Sequence, residues 1–415
     1  MAVDTSSISS ALDRDDYETV ISEVKAAVTD DAVEALSDPV VSSWLKRRFT
    51  NIFLSEAEVD PDALKVSEKP IVLRRFDRRD ARERVAQRMF KDITAEEIHT
   101  EMPAAETETL SNTTLVFAPG LLTGLLPVLA FQSVWPQVTN RFGLRVIASD
   151  SHPMRSARDN VSDLENAIER GIGVAGDPEG SFITDEDDPE PIDGDFLLIG
   201  YSKGAPDVLN LLIRRPDLAP RIRGVVGWAG AIGGSYLAND IYEKLTKHEV
   251  VANSGNLTKE VTESVMRLAP IAQLNKINRR IEEYDVIGAL KSLTTHERDR
   301  FIGDHEHDLA ELRIPMMSFT GATSVLDVPY FQWQGTLQLN QYDVNNDMQL
   351  TQEQAQFPSA FGPHLAMFNA NHWDLSYDSF PWYTTMGSRK LKDPFARRAA
   401  MFSIVLLMSE IGLLD

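Results

Sequence analysis

Short segments composed almost wholly of apolar residues constrain the fold of this chain more than any other feature. Five of them lie at residues 114–118, 144–148, 196–199, 225–228 and 315–319, separated by longer stretches of helical or polar character. A strand with one face in water alternates apolar and polar residues, whereas a strand covered on both faces is apolar throughout. The pattern therefore predicts an α/β fold with a mostly parallel central sheet and helices on both faces.

Helical segments precede and interrupt this pattern. Apolar residues over 17–28 recur at intervals of three and four, the spacing of a helix with one buried face. We predict a helical N-terminal extension over residues 1–110 and an α/β domain over residues 111–415. Residues 235–312 break the alternation and are mostly helical in character. We predict that they form a cap over the carboxyl ends of the strands, where ligands bind in such folds.

The composition excludes several classes of protein. Forty-one Lys and Arg residues against 63 Asp and Glu residues give a net charge of −22, which argues against nucleic acid or an anionic membrane as a partner. The chain has no cysteine, so disulfides, thiolate metal sites and a cysteine nucleophile are excluded. No transmembrane segment and no secretory signal are visible, so we expect a cytoplasmic protein, with export left open for a trimmed chain.

The motif Gly-Tyr-Ser-Lys-Gly at residues 200–204 marks a candidate nucleophile. It follows the apolar segment 196–199 directly and precedes a helical segment that begins near Ala205. A sharp turn from strand to helix exposes the serine hydroxyl, and glycine on either side tolerates the close approach of the backbone. We therefore predict that Ser202 is a catalytic nucleophile.

A nucleophilic serine requires donors that stabilise the oxyanion of the tetrahedral intermediate. The backbone N–H of Lys203 is one candidate, since it lies at the positive end of the helix that follows the nucleophile. The loop after the first predicted strand supplies the second, and there Gly120 allows a turn that directs the N–H of Leu121 towards the site. We predict an oxyanion hole formed by Leu121 and Lys203.

The base and the acid are expected after the serine, in the chain order Ser, acid, His. His372 follows the apolar run 365–368, which is typical of a final strand, so it would lie on the loop at the end of that strand. His364 precedes the run and should lie at the opposite edge of the sheet. For the acid, position leaves two candidates open, namely Asp327 and Asp347.

Several short motifs resemble those of the bacterial triacylglycerol lipases of the α/β-hydrolase superfamily, the group that contains a structural calcium ion. They lie at residues 200–204, 233–240, 318–327, 346–350 and 372–374. The resemblance spans about residues 113–380 and implies an α/β-hydrolase fold. Two positions depart from the family pattern, because Pro119 stands in place of the usual histidine and Met348 in place of a glycine.

The resemblance also implies roles for three aspartates. The family motif Asn-Asp-Gly-Leu-Val, whose Asp orients the catalytic histidine, corresponds to residues 346–350 and implies that Asp347 is the acid. The calcium ligands of the family correspond to Asp327 and to Asp374, two residues beyond His372. A structural calcium ion bound by these two carboxylates is thus implied.

These observations predict a serine hydrolase that cleaves carboxylic esters through an acyl-enzyme intermediate. The substrate would be a small-molecule or lipid ester, and the chemistry itself would require no cofactor. An acyltransferase or thioesterase with the same triad is the alternative, and a non-catalytic binding module of the same fold is a third interpretation. The sequence leaves open whether the chain forms a homo-oligomer.

Overall fold

A computed structural model describes residues 5–60, 63–64, 78–249, 262–263, 265–266, 269–381 and 395–415. Eight strands form one sheet within these ranges. The strands are β1 (Thr113–Ala118), β2 (Arg145–Ala148), β3 (Gly173–Ala175), β4 (Phe182–Ile183), β5 (Asp195–Tyr201), β6 (Ile222–Trp228), β7 (Met316–Gly321) and β8 (His364–Phe368). The α-helices are α1 (Ser6–Leu12), α2 (Tyr17–Asp30), α3 (Ala32–Ser37), α4 (Pro39–Glu58), α5 (Ala81–Met89), α6 (Ala95–His99), α7 (Trp135–Phe142), α8 (Val161–Arg170), α9 (Gly204–Arg214), α10 (Tyr236–Glu249), α11 (Val286–Lys291), α12 (Thr295–Glu311), α13 (Trp333–Leu339) and α14 (Arg397–Glu410).

The strands lie in the order β4-β3-β2-β1-β5-β6-β7-β8. Neighbouring strands run parallel, except that β3 is antiparallel to both β2 and β4. The predicted mostly parallel sheet is therefore confirmed, and the predicted strands correspond to β1, β2, β5, β6, β7 and β8. The edge strands β3 and β4 contain three and two residues, too few to form a recognisable pattern in the sequence.

Alternate residues of the central strands contact different helix layers. Leu197 and Ile199 of β5 belong to a core formed with α4, α7 and α14. Phe196 and Leu198 of the same strand belong to a second core formed with α8, α9 and α12. Both faces of the sheet are thus covered by helices, as the continuous apolar character of the strands predicted.

The long N-terminal helix α4 is part of the first of these cores. It begins with Asp38, whose side chain accepts hydrogen bonds from two backbone N–H groups of the first turn. The ring centroid of Phe49 lies 4.7 Å from that of Phe319 on β7. The fully buried Arg48 donates hydrogen bonds to Glu410 of α14 at 2.5 and 2.7 Å. These contacts join α4 to the sheet and to the last helix of the chain.

Residues 235–312 contribute α10, α11 and α12. Leu309 of α12 lies in the second core of the sheet, whereas Ala238 of α10 and Leu290 of α11 line a cavity at the carboxyl ends of the strands. The proposed boundaries, at residue 110 and around this cap, remain predictions. In the described ranges, no helix combines the length and apolar character required to cross a membrane.

Replacing Phe49 by alanine tests whether α4 belongs to the core of the sheet. We expect the free energy of unfolding to fall by about 3–5 kcal/mol, because the cavity cannot collapse between α4 and β7. Leu337→Ala is the control, since Leu337 is 56% exposed and its truncation should change stability by about 0.5 kcal/mol or less. Denaturant unfolding measures both, and equal stabilities would contradict the placement of α4.

Candidate active site

Ser202 lies in a sharp turn between β5 and α9, at the carboxyl edge of the sheet. Its φ angle of 53° is in the left-handed region, a conformation that costs a non-glycine residue about 1–3 kcal/mol. A Cβ atom on Gly204 would lie 1.9 Å from the carbonyl oxygen of Ala118. A Cβ atom on Gly200 would lie 2.6 Å from Cα of Ala205. The two glycines of the motif are therefore needed for the turn that carries Ser202.

His372 and Asp347 form a buried hydrogen-bonded pair beside this turn. Nδ1 of His372 lies 2.7 Å from Oδ2 of Asp347, and both side chains are 1% exposed. The other carboxylate oxygen of Asp347 accepts hydrogen bonds from the backbone N–H groups of Gln349 and Leu350. Each oxygen of Asp347 thus has a donor of its own, which fixes the carboxylate relative to the imidazole.

The position of this carboxylate determines the tautomer of His372. An ionised Asp347 can only accept, so Nδ1 of His372 carries the proton and Nε2 is left as an acceptor. Nε2 is buried and makes no hydrogen bond with any described residue. Such an imidazole is in the form that a general base requires.

His364, which the sequence analysis placed at the opposite edge, lies at the first position of β8. Its Nε2 is 2.8 Å from the hydroxyl of Thr320. Burial lowers the pKa of His364 to about 4, so this imidazole is neutral near pH 7. It lies at the start of β8, whereas His372 follows the end of that strand.

Ser202 and His372 line the same cavity at the carboxyl ends of the strands. The cavity has a volume of about 110 Å³. Its walls are mainly apolar and include Leu121, Leu122, Leu126, Leu237, Leu290, Leu293 and Leu350. An apolar cavity with a hydroxyl and an imidazole is suited to a small substrate that has an apolar group and a reactive polar bond.

The loop after β1 passes directly against the serine. A Cβ atom on Gly120 would lie 2.9 Å from Cβ of Ser202, so only glycine fits at this position. Leu121 follows and lines the cavity. As far as the chain is described, neither the backbone N–H of Leu121 nor that of Lys203 donates a hydrogen bond. The assignment of both N–H groups as oxyanion donors stays a prediction.

The side chain of Lys203 points into the protein, where it forms an ion pair. Its Nζ lies 2.7 and 3.0 Å from the two carboxylate oxygens of Asp207, which also accepts a hydrogen bond from Asn160. Burial lowers the pKa of Lys203 and raises the pKa of Asp207. The pair fixes the residue after the serine to the first turn of α9. Its spacing of four residues is the only signal for it in the sequence.

Aromatic residues attach the His372 loop to the central strands, a role that the sequence analysis missed. The hydroxyl of Tyr201 donates to the carbonyl of His372 at 2.9 Å, and the two rings stack with centroids 5.1 Å apart. Burial raises the pKa of Tyr201 well above its usual value, so the phenol remains a donor. Nε1 of Trp228 donates to the carbonyl of Leu375. β5 and β6 thereby position the loop that carries the histidine.

The side chain of Asn371 lies between the two aspartates that the resemblance implies as calcium ligands. Nδ2 of Asn371 lies 2.6 Å from Oδ2 of Asp374 and 3.3 Å from the carbonyl oxygen of Asp327. The amide orientation is fixed, because Oδ1 of Asn371 accepts from the backbone N–H groups of Trp373 and Asp374. An N–H donor therefore faces one carboxylate oxygen of Asp374 and the main-chain carbonyl of Asp327, whereas calcium requires several oxygen ligands. The calcium ion stays a prediction. Among the described residues, no group of three His, Cys, Asp or Glu side chains could hold a metal.

Arg397 supplies a positive charge at this loop. Its guanidinium donates to the carbonyl oxygen of Asp374 at 2.8 Å and to the carboxylate of Asp378 at 3.2 Å. Its side chain is 4% exposed. Asp378 also accepts hydrogen bonds from Ser133. The arginine, at the start of α14, thus holds the segment that follows His372.

Comparison with solved structures shows what this architecture is similar to. A metagenomic carboxyl esterase aligns with a TM-score of 0.60 and 20% sequence identity over 88% of this chain and 91% of that chain. Two lipase structures are less similar. The mature lipase of Bacillus licheniformis aligns with a TM-score of 0.41 and 17% identity over 65% of this chain and 89% of that chain. Lipase 1 of Pelosinus fermentans aligns with a TM-score of 0.42 and 12% identity over 71% of this chain and 98% of that chain. No protein-family model and no curated protein matches the sequence. At this identity, the likeness to the esterase is one of fold.

Arg397→Met tests the contact between α14 and the histidine loop. We expect a lower melting temperature and a loss of about 1–3 kcal/mol, because a buried carbonyl oxygen of Asp374 loses its donor. EGTA should leave the melting temperature unchanged in the parent protein. Lys247→Met is the control, since this lysine side chain is 75% exposed. If EGTA lowered the melting temperature and added calcium reversed the effect, this expectation would be contradicted and the implied calcium ion supported.

Proposed function

Because the chain has the α/β-hydrolase fold, we propose that it is a serine hydrolase that cleaves carboxylic esters. The observation that supports this most directly is the His372–Asp347 hydrogen bond. Nε2 of His372 has no hydrogen-bond partner among the described residues, and His372 lines the same cavity as Ser202. The similar structure of a protein named a carboxyl esterase agrees with an ester as substrate. The apolar walls of the cavity favour an ester with an apolar acyl group.

The mechanism follows from the roles of three side chains. Oγ of Ser202 attacks the acyl carbonyl carbon while Nε2 of His372 removes the hydroxyl proton, and Asp347 stabilises the imidazolium. The N–H groups of Leu121 and Lys203 bind the oxyanion. His372 then protonates the departing alkoxide, which leaves an acyl group on Ser202. Water attacks this acyl-enzyme with His372 again acting as the base, and the carboxylic acid and free serine result.

A fluorophosphonate probe tests the proposed nucleophile. We expect a covalent adduct on Ser202, and we expect Ser202→Ala to lose the adduct and to lower the hydrolysis of short aryl esters by about 10⁶-fold. Ser235 lines the same cavity and donates its hydroxyl to the carbonyl of Gln349. Ser235→Ala should therefore still be labelled on Ser202.

The outcome also separates the alternative functions. A protein that remains unlabelled would be a binding module of this fold. A labelled protein that transfers its acyl group to an added alcohol faster than to water would be an acyltransferase. Faster turnover of thioesters than of the matched oxygen esters would indicate a thioesterase.

Asn substitutions at the two candidate acids distinguish their roles. Asp347→Asn should lower kcat by about 10⁴-fold, because an amide cannot hold the imidazole in its reactive tautomer or stabilise the imidazolium. The carboxylate of Asp327 accepts a hydrogen bond from Ser324 at 2.6 Å, so Asp327→Asn should leave kcat within about tenfold of the parent value. Steady-state kinetics on an aryl ester measures both, and the reverse order would assign the acid to Asp327.

A further inference from the structure

A second, larger cavity has an unusual concentration of positive charge. It has a volume of about 800 Å³ and lies between α8, α9, α11, α12 and the loop before α8. Its Lys and Arg side chains are Arg158, Arg214, Lys291 and Arg298. Glu297 also lines it and forms an ion pair with Arg300 at 2.5 Å. Four cations against one carboxylate form a local positive site on a chain of net charge −22.

Arg298 is the buried member of this group. Its relative exposure is 2%. Nε donates to the carbonyl oxygen of Ile232 at 2.9 Å, and Cζ lies 4.4 Å from the centroid of the Phe301 ring. Nη2 is buried and has no hydrogen-bond partner in the part of the chain that the structure describes. A buried donor without a partner costs about 1–3 kcal/mol, and more if it is charged.

The guanidinium keeps its charge despite this burial. Burial lowers the pKa of Arg298 to about 10, which still leaves it protonated at neutral pH. The negative charges of Asp207 and Glu297 partly oppose that effect. However, both oxygens of Asp207 are bonded to Lys203 and one of them also to Asn160, and Glu297 is paired with Arg300. Arg298 therefore has a positive charge and an unused donor.

The remaining cations differ in their pairing. Arg214 lies 3.5 Å from Glu165, with its side chain 56% exposed. Lys291 and Arg158 are exposed, and neither forms an ion pair within the described ranges. Their charges are free to act on a ligand that enters the cavity, with Arg298 at its base.

The walls of this cavity are connected to one another. The backbone N–H of Ala157 donates to the hydroxyl of Ser292 at 3.3 Å, which joins the loop before α8 to the segment between α11 and α12. The side-chain amide of Asn210 on α9 donates a hydrogen bond to the carbonyl oxygen of Pro206. These hydrogen bonds fix parts of the cavity wall before a ligand binds, which reduces the entropy cost of binding.

We infer that this cavity binds a small oxyanion through a phosphate or carboxylate group, with Arg298 at the base and Arg158 and Lys291 at the rim. The planar guanidinium presents several N–H donors in a geometry that matches both groups, and such charge-assisted hydrogen bonds are among the strongest in proteins. The anion provides a counter-charge for the cations that line the cavity. This site is separate from the Ser202 cavity and does not depend on the proposed hydrolase activity.

Titration of the full-length protein with inorganic phosphate, at constant ionic strength maintained with sodium chloride, tests the inference. We expect saturable binding by calorimetry and a rise in melting temperature that chloride does not produce. The double variant Arg158→Ala/Lys291→Ala should bind phosphate at least about tenfold more weakly, because two cations are removed from the rim. Lys247→Ala, which removes an exposed charge on α10, should bind as the parent protein does.

A second anion and a further variant identify the ligand group and control for misfolding. Succinate in place of phosphate distinguishes a preference for carboxylate from one for phosphate. Arg298→Met should abolish saturable binding; if that variant does not fold, the rim double variant, altered only at exposed residues, decides the question. The inference would be overturned if neither anion showed saturable binding. It would also be overturned if the rim double variant and Lys247→Ala bound phosphate with equal affinity.

Discussion

The close packing of main chain against main chain at the turn between β5 and α9 is the constraint on which the site depends. Gly204 allows the start of α9 to approach the carbonyl of Ala118 at the end of β1, where a Cβ atom would lie 1.9 Å away. Gly120 allows the following loop to pass against Ser202. The serine thus receives its strained conformation and its neighbouring backbone donors from the same contacts.

A buried ion pair stabilises this turn. Lys203 and Asp207 join the residue after the serine to the first turn of α9, and Asn160 extends the hydrogen bonds to the loop before α8. Taking both charges out of water costs free energy that only good geometry and further hydrogen bonds offset. The fully bonded pair therefore fixes a position, whereas Nη2 of Arg298 has no hydrogen-bond partner among the described residues.

The parts of the fold that could be predicted are those with a strong local pattern. The central strands are apolar throughout because helices cover both their faces, and that requirement is visible in the sequence. β3 and β4 are too short to produce such a pattern. The spacing of apolar residues in α2 indicates a buried face but not its partner. For α4, the packing of Phe49 on Phe319 joins residues 270 positions apart. The Arg397 contacts likewise depend on where the last helix docks.

The sequence by itself determined the residue types available for chemistry and the local turn that presents Ser202, because a strand, a helix and two glycines are all specified within a few neighbouring residues. Only the tertiary structure decided which aspartate contacts His372, that Lys203 points inward, and that Asn371 and Arg397 surround Asp374 with donors. These outcomes depend on loops from different strands meeting at one edge of the sheet. Hydrogen bonds between such loops follow from three-dimensional packing, which no local pattern encodes.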